Sequence, residues 1–408
     1  MQDIDDATTA AAQPPPPAAA SPSAAAAPRV LCIRFTGSGS EYFRIWAVNL
    51  LLILVTLGLY LPFAKARRIR YFYANTRVDG QALSFHGDAW KMFRGFILLV
   101  VLMAVYSGAG HLSPAAAFPA FLLLCAVWPA LWRASLQFRL ANTSWRGLRM
   151  RFDGSLAGAY LACAPSYLPA IALVGGAALI GQGSAAAGSA EAAAGLTPAM
   201  AVYTVGALCL VLFTPWSLTL FKRYQHDGYR IAGQHGRVKL SVAKIYLLSL
   251  KTLGVAVLPM IVAGLLVAMV VALTRGEGGP ERALLSNVLL GVGVGLGYLL
   301  MFAVVLPYGA ARMQNLAWNG TRSEALAFIS RLRFRDLFTL TLKNWLLTAL
   351  TLGLYRPFAA VATARLRLEA VSIGCDDDPA DWVAAAGAGH ADATGDIAGD
   401  FFGIDMGL

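Results

Sequence analysis

Eight apolar runs constrain this chain more than any other feature. They cover residues 43–63, 93–112, 114–136, 156–180, 198–221, 246–274, 283–311 and 337–358. At about 1.5 Å of rise per residue, a helix of such length can cross a hydrocarbon core about 30 Å thick. Backbone groups find no water there, which leaves helices that satisfy themselves. Charged residues are 13% of the sequence, against about 25% in ordinary soluble domains. These features exclude a disordered chain and argue against a soluble globular one. The expected fold is an all-α polytopic membrane protein.

The charge pattern orients the runs. All 33 Lys and Arg lie between residues 29 and 367, together with only ten of the 22 acids. A basic surplus can mark a nucleic-acid partner. Here the bases sit at the edges of apolar runs, so no nucleic acid is expected and anionic lipid head groups are the natural partners. Four connections carry 25 Lys and Arg, and the other three carry two, Arg275 and Arg282. Basic loops stay in the cytoplasm, which makes 107–113, 181–197 and 275–282 extracytoplasmic. Segments two to seven then form six firm transmembrane helices in three hairpins. Residues 1–28, Ala/Pro-rich and opening with acids, read as a disordered arm without the pattern of a signal peptide. Residues 29–373 read as the membrane domain, and 374–408 as an acidic disordered tail.

The basic connections repeat one another. Ala74-Asn75-Thr76 recurs as Ala141-Asn142-Thr143, and Phe85-His86-Gly87 as Phe152-Asp153-Gly154. Pro62, Pro129 and Pro215 each stand 18 residues before a glycine: Gly80, Gly147 and Gly233. Asn315, Trp318 and Gly320 keep the spacing of Asn142, Trp145 and Gly147. Each unit reads as a helix end, a turn at Asn and Gly, then a short strand-like piece. A duplicated structural template accounts for these residues; contact with a ligand is the second reading of the Asn side chains.

A stronger repeat joins the first and last segments. Residues 56–64 and 351–359 share Thr-Leu-Gly-Leu-Tyr-x-Pro-Phe-Ala, eight identities in nine. Asn49 aligns on Asn344, Thr56 on Thr351, Gly58 on Gly353, Tyr60 on Tyr355 and Pro62 on Pro357. Both segments have bases on both flanks. A helix that enters, breaks at Gly and Pro and returns satisfies this pattern. An ordinary span with bases at each end is the alternative. Both copies are expected to share one backbone shape, with the freed backbone groups turned toward Asn49 and Asn344.

The run of Phe35-x-Gly37, Glu41-Tyr42-Phe43, Asn49, the duplicated motif, Arg67-Arg68, Tyr71 and Asn75-Thr76 resembles the YjgN-like family of bacterial inner-membrane proteins. The resemblance covers about residues 30–373. It implies an inner-membrane location, and it supplies no substrate, cofactor or catalytic residue.

The residues themselves offer no catalytic set. The five His and five Cys are scattered, with no H-E-x-x-H, P-loop or C-x-x-C, so neither metal nor cofactor is expected and an enzyme is disfavoured. Asn49 and Asn344 are the clearest polar groups within apolar runs, and such groups either serve function or glue helices. The first functional reading is a transporter or channel-like permeation protein whose site the duplicated motif lines or shapes. The runner-up is a structural or assembly protein of the envelope, its basic, aromatic loops binding lipids or a cytoplasmic partner. A polar cavity at the motif pair favours the first, and a solid core the second.

Overall fold

The computed structural model describes residues 29–186, 190–274 and 280–392; the arm at 1–28 and parts of the 181–197 and 275–282 connections lie outside them. Five βααβ units follow one another. The first is β1 (Arg29–Phe35), α1 (Gly39–Val55), α2 (Leu61–Ala74) and β2 (Thr76–Val78). The second is β3 (Gln81–Phe85), α3 (Ala89–Leu112), α4 (Pro114–Ala141) and β4 (Thr143–Trp145). The third is β5 (Leu148–Phe152), α5 (Leu156–Ala186), α6 (Ala190–Asp227) and β6 (Tyr229–Ile231), with a short extra strand β7 (Gln234–His235). The fourth is β8 (Arg237–Val238), α7 (Val242–Thr274), α8 (Pro280–Gly320) and β9 (Thr321–Arg322). The fifth is β10 (Leu326–Ser330), α9 (Phe334–Leu350), α10 (Arg356–Glu369) and β11 (Val371–Cys375), after which comes α11 (Pro379–Asp392). Among the described residues, helices α3 to α8 are the six long and apolar enough to cross a membrane. Their outward leucines, Leu258, Leu265 and Leu299 among them, are more than half exposed, as a lipid-facing surface requires.

The all-α expectation needs correction, because the strand-like pieces assemble into one sheet. Its antiparallel order is β7-β6-β5-β4-β3-β2-β1-β11-β10-β9-β8. The two ends of that order follow one another in the chain through Gly236. The sheet therefore curls round into a ring whose two edge strands, β7 and β8, are joined by the chain at Gly236 and not by a ladder. Two-residue turns at Asp79-Gly80, Arg146-Gly147 and Ala232-Gly233 have positive φ at both positions, the geometry that matches strand twist in tight hairpins. The ring has its own core. Leu31, Val78, Trp145, Leu326 and Cys375 are buried together, with Ile231, Phe328 and Trp382 packed against them. Trp382 comes from α11, so the start of that helix packs against the ring. Its apolar Trp382 and fully buried Pro379 outweigh the acids around them.

One proline spacing organises the bundle. Pro62, Pro129, Pro215, Pro307 and Pro357 each stand 14 residues before the first residue of the next strand, and all five are buried. They mark the inward face of α2, α4, α6, α8 and α10. Eight residues after four of these prolines, a side chain donates to the carbonyl at the turn entering the next unit. Arg70 reaches Gly87 O (3.4 Å), Arg223 reaches Leu240 O (2.8 Å), Asn315 reaches Leu332 O (2.9 Å) and Arg365 reaches Gly37 O (2.8 Å). In the second unit Arg133, four residues after Pro129, reaches Gly154 O at 2.7 Å. The last of these bonds in chain order ties α10 back to the first unit. The five units thus lock head to tail.

This interlock corrects one alignment. Asn315 does not occupy the place of Asn142. Asn142 caps the C-terminus of α4, whereas Asn315 sits inside α8 and stands where Arg70, Arg223 and Arg365 stand in other units. Trp145 lies in the ring and donates to Val78 O at 3.1 Å; Trp318 lies in the last turns of α8, 5.0 Å from His226. The helix of the fourth unit runs to Gly320, so equal spacing along the chain is not equal position in space. Asn75 does match Asn142: both cap a helix, and their side chains donate to Tyr71 O and Phe138 O.

Units one and five are short, and their two helices meet at the duplicated motif. Both turns are the same. Gly58 N–H bonds Ile53 O and Leu57 N–H bonds Leu54 O, and Gly353 and Leu352 bond Thr348 O and Ala349 O in the same way. This is the Schellman pattern that closes a helix C-terminus. The residues at its centre have φ of +49° and +92° in one copy and +50° and +94° in the other. Thr56 Oγ1 donates to Leu52 O (2.7 Å) and accepts from Tyr60 N–H (3.0 Å), while Thr351 does the same with Leu347 O (2.6 Å) and Tyr355 N–H (3.0 Å). Pro62 and Pro357 follow in the first turn of the next helix, where no N–H is needed. The expectation of a shared shape and a break between Thr and Pro agrees with this geometry. The freed backbone groups, however, do not turn toward Asn49 and Asn344, because the turn satisfies them itself.

Candidate functional site

The inward faces of α2, α4, α6, α8 and α10 converge below the ring and line a half-open chamber of about 390 Å³. Helical periodicity places residues 7, 10 and 11 after each proline on this face. From those positions come Lys222 and Gln314 at +7, Arg139, Gln225 and Arg367 at +10, and Tyr73, Leu140, His226 and Trp318 at +11. Three cationic side chains thus line the chamber and no carboxylate does. Among the described residues none of the three joins an ion pair; the ion pairs lie elsewhere, on the ring at Asp79, Asp153 and Asp378.

Amide side chains hold two of these cations in place. Arg367 Nε donates to Gln314 Oε1 (2.8 Å), and Gln314 Nε2 donates to Arg367 O (2.8 Å). That pair fixes the guanidinium while its terminal nitrogens stay available. Lys222 Nζ donates to Gln225 Oε1 at 3.3 Å. His226 Nδ1 lies 2.8 Å from Thr321 Oγ1, and that hydroxyl donates to Ala317 O at 2.7 Å. With the hydroxyl proton committed, Nδ1 carries the donor hydrogen and Nε2 is left as an acceptor. Burial pushes the Tyr229 phenol above its ordinary range, against the opposing pull of Arg139. Burial, and then the Arg139 charge, depress the Lys65 ammonium.

Two further spaces share walls with the chamber. Above it, inside the ring, is an apolar cavity of about 500 Å³ that shares Tyr73, Leu140, Tyr229 and Trp318 with it. Beside it, a groove of about 1290 Å³ between the first and fifth units shares Tyr73 and Arg367. That groove is lined by Asn344, Thr348, Gly353 and Arg356 of the second motif copy and by Tyr42, Trp46 and Arg68 of the first unit. The two motif copies are therefore not equivalent. Asn344 faces the groove and donates to Thr363 Oγ1 (3.2 Å) and Ala359 O (3.4 Å), leaving its Oδ1 buried and unbonded. Asn49 is buried between α1 and α2 and accepts from Arg67 at 3.5 Å. Tyr60 and Tyr355 stack on Phe63 and Phe358.

The three chamber cations escaped the sequence reading, which took the bases as topology signals. The signal was present in the proline spacing, extended to Pro307 and Pro357, which separates bases at +7 and +10 from those at +8.

Comparison with known proteins assigns the chain to a family. The family model described as "Bacterial protein of unknown function (DUF898)" matches residues 31–401. The inner membrane protein YjgN of Salmonella typhimurium is 25% identical over 334 residues, covering 80% of this chain and 84% of the relative. The YjgN protein of Escherichia coli K12 is 33% identical over 129 residues, 30% of this chain and 31% of the relative. No solved structure matches. With six membrane-capable helices and a family match across most of its length, the chain is a multi-pass inner-membrane protein and belongs to the bacterial family of unknown function DUF898.

Proposed function

We propose that this protein passes a small anion across the inner membrane by way of the chamber. The observation that carries the reading is the meeting of Arg139, Lys222 and Arg367 in one half-open chamber that no carboxylate lines. Arg139 and Arg367 are exposed and Lys222 is half-buried, so three like charges converge on water-accessible space and repel one another. A mobile anion relieves that repulsion, and the amides that hold Lys222 and Arg367 keep them positioned when the anion leaves. The ring lies on the side of the basic connections, which the topology rule assigns to the cytoplasm. The chamber then stands at the cytoplasmic mouth of the bundle. The first and fifth units are re-entrant in this reading: their self-satisfied turns suit lipid depth, and Leu57 and Leu352 at the tips are 94% and 95% exposed. The groove between these units is the access route. Asn344, Gly353 and Arg356 line it, while Thr56, Gly58, Pro62, Thr351 and Pro357 shape the turns.

The test is anion flux in proteoliposomes, read as swelling in isosmotic nitrate, chloride and phosphate salts. Wild-type protein should speed swelling over empty vesicles for at least one anion. Lys222→Gln and Arg367→Gln should each reduce that rate tenfold or more without changing elution of the purified protein. Swelling equal to that of empty vesicles for all three salts would defeat the transport reading and leave the envelope scaffold as the better one.

A further inference from the structure

A second basic site lies on the flank of the fourth unit, separate from the chamber. A groove of about 670 Å³ runs between the start of α7 and the end of α8, directly under the ring. Lys239, Lys244, Lys251, Arg312 and Arg322 line it, together with Asn315 and Asn319. No carboxylate lines it, and none of the five bases joins an ion pair among the described residues. The arrangement is built rather than accidental. Lys244 and Lys251 are seven residues apart and so share one face of α7. Arg312 answers them from α8, its guanidinium set over the Tyr308 ring. Lys239 is held beside the end of α8 by its N–H bond to Gly320 O (2.9 Å), and Arg322 follows on β9.

What lies next to these charges identifies the ligand class. The floor is apolar, made by Leu240, Leu247, Leu248 and Leu316. Directly along α7 the exposed side chains are Leu247, Leu250 and Leu253, each more than half exposed. A phosphate group alone needs no such surface. A phospholipid needs both parts, and basic pockets between helices at a membrane face are suited to its head group. By contrast, the pocket between α2, α3 and α4 has one base, Lys65, among apolar and aromatic residues. The basic edge common to all membrane proteins therefore does not account for the fourth unit.

We infer that this groove is a binding site for an anionic phospholipid with two phosphates, the phosphates held by Lys239, Lys244, Lys251, Arg312 and Arg322 and the acyl chains laid on the leucines of α7. Five cations exceed what a single phosphate can neutralise. The site does not depend on the transport reading.

The test uses the full-length protein, delipidated in detergent, with tetra-acyl cardiolipin, phosphatidylglycerol or phosphatidylcholine added, and counts bound lipid by native mass spectrometry. Cardiolipin should be retained at least tenfold better than phosphatidylcholine and better than phosphatidylglycerol. The triple variant K244Q/K251Q/R312Q should lose that preference. The control R34Q/R77Q/R149Q, which removes the same charge from exposed ring positions, should keep it. Equal retention of all lipids, or equal loss in both triple variants, would overturn the proposal. Displacement of cardiolipin by a few millimolar inorganic phosphate would also overturn it, by assigning the site to free phosphate.

Discussion

The first and fifth units differ from the three between them in one respect, the length of the helix pair. α1 and α2 have 17 and 14 residues and α9 and α10 the same, about 26 and 21 Å at about 1.5 Å per residue. α3 to α8 have between 24 and 41. The frame around them is otherwise shared: a strand, an outer helix, an inner helix with its proline, and a second strand. The turn chemistry follows the length. The second unit turns at Ser113, which is half-buried and follows the exposed Leu112. The short pairs turn at Thr-Leu-Gly-Leu-Tyr, where a hydroxyl and a Schellman closure meet the local demand without solvent. In the re-entrant reading proposed above, the motif is duplicated because two places in the fold present the same problem, a chain reversal in a medium that donates and accepts no hydrogen bonds.

The comparison breaks most sharply at glycine. Gly58→Leu and Gly353→Leu each place a side chain at φ above +90°, which should cost about 2–3 kcal/mol and lower the thermal midpoint in detergent. No neighbouring atom crowds Gly353, so the loss there would report backbone strain alone. The same change at Gly264, helical and in open space, should shift the midpoint far less. Equal shifts at all three positions would remove the special status of the turns.

A smaller effect is expected at threonine. Thr351→Val keeps the shape but leaves the Tyr355 N–H without its 3.0 Å partner, at about 1–2 kcal/mol for a group deprived of hydrogen bonds in apolar surroundings. Thr351→Ser should restore it. Thr252→Val in α7, whose hydroxyl only donates back to Leu248 O, should be close to neutral. Calorimetry on the three purified variants sorts these cases.

Much of this was legible in the residues. The six spanning helices follow from run length, and the break in the motif follows from Gly and Pro within an apolar run. The ring was not legible. Its strands are two to seven residues long, and the two strands of each unit pair across a whole helix hairpin, so no local alternation announces the sheet. The chamber was half legible: Lys222 and Arg139 were counted as basic-loop residues, because net charge along the chain does not show which bases turn inward. That distinction rests on phase relative to the buried proline, one position separating Lys222 from Arg223. Lys222 faces the chamber, whereas Arg223 ties down the Leu240 carbonyl. Asn315 misled for the same reason, since it keeps the spacing of Asn142 along the chain but the phase of Arg223.

The depth of the two tips tests the central claim, that the short pairs turn within the membrane and so open the access groove beside the chamber. Nitroxides attached at Leu57→Cys and Leu352→Cys in reconstituted protein report it through their collision rates with oxygen, which concentrates in lipid, and with a water-soluble nickel chelate. The account predicts oxygen collisions dominating at both tips, as at Leu258→Cys on the lipid face of α7, and chelate collisions dominating at Leu112→Cys beside the Ser113 turn. Chelate collisions dominating at Leu57 and Leu352 would contradict it, placing both tips in water and closing the route proposed for the anion.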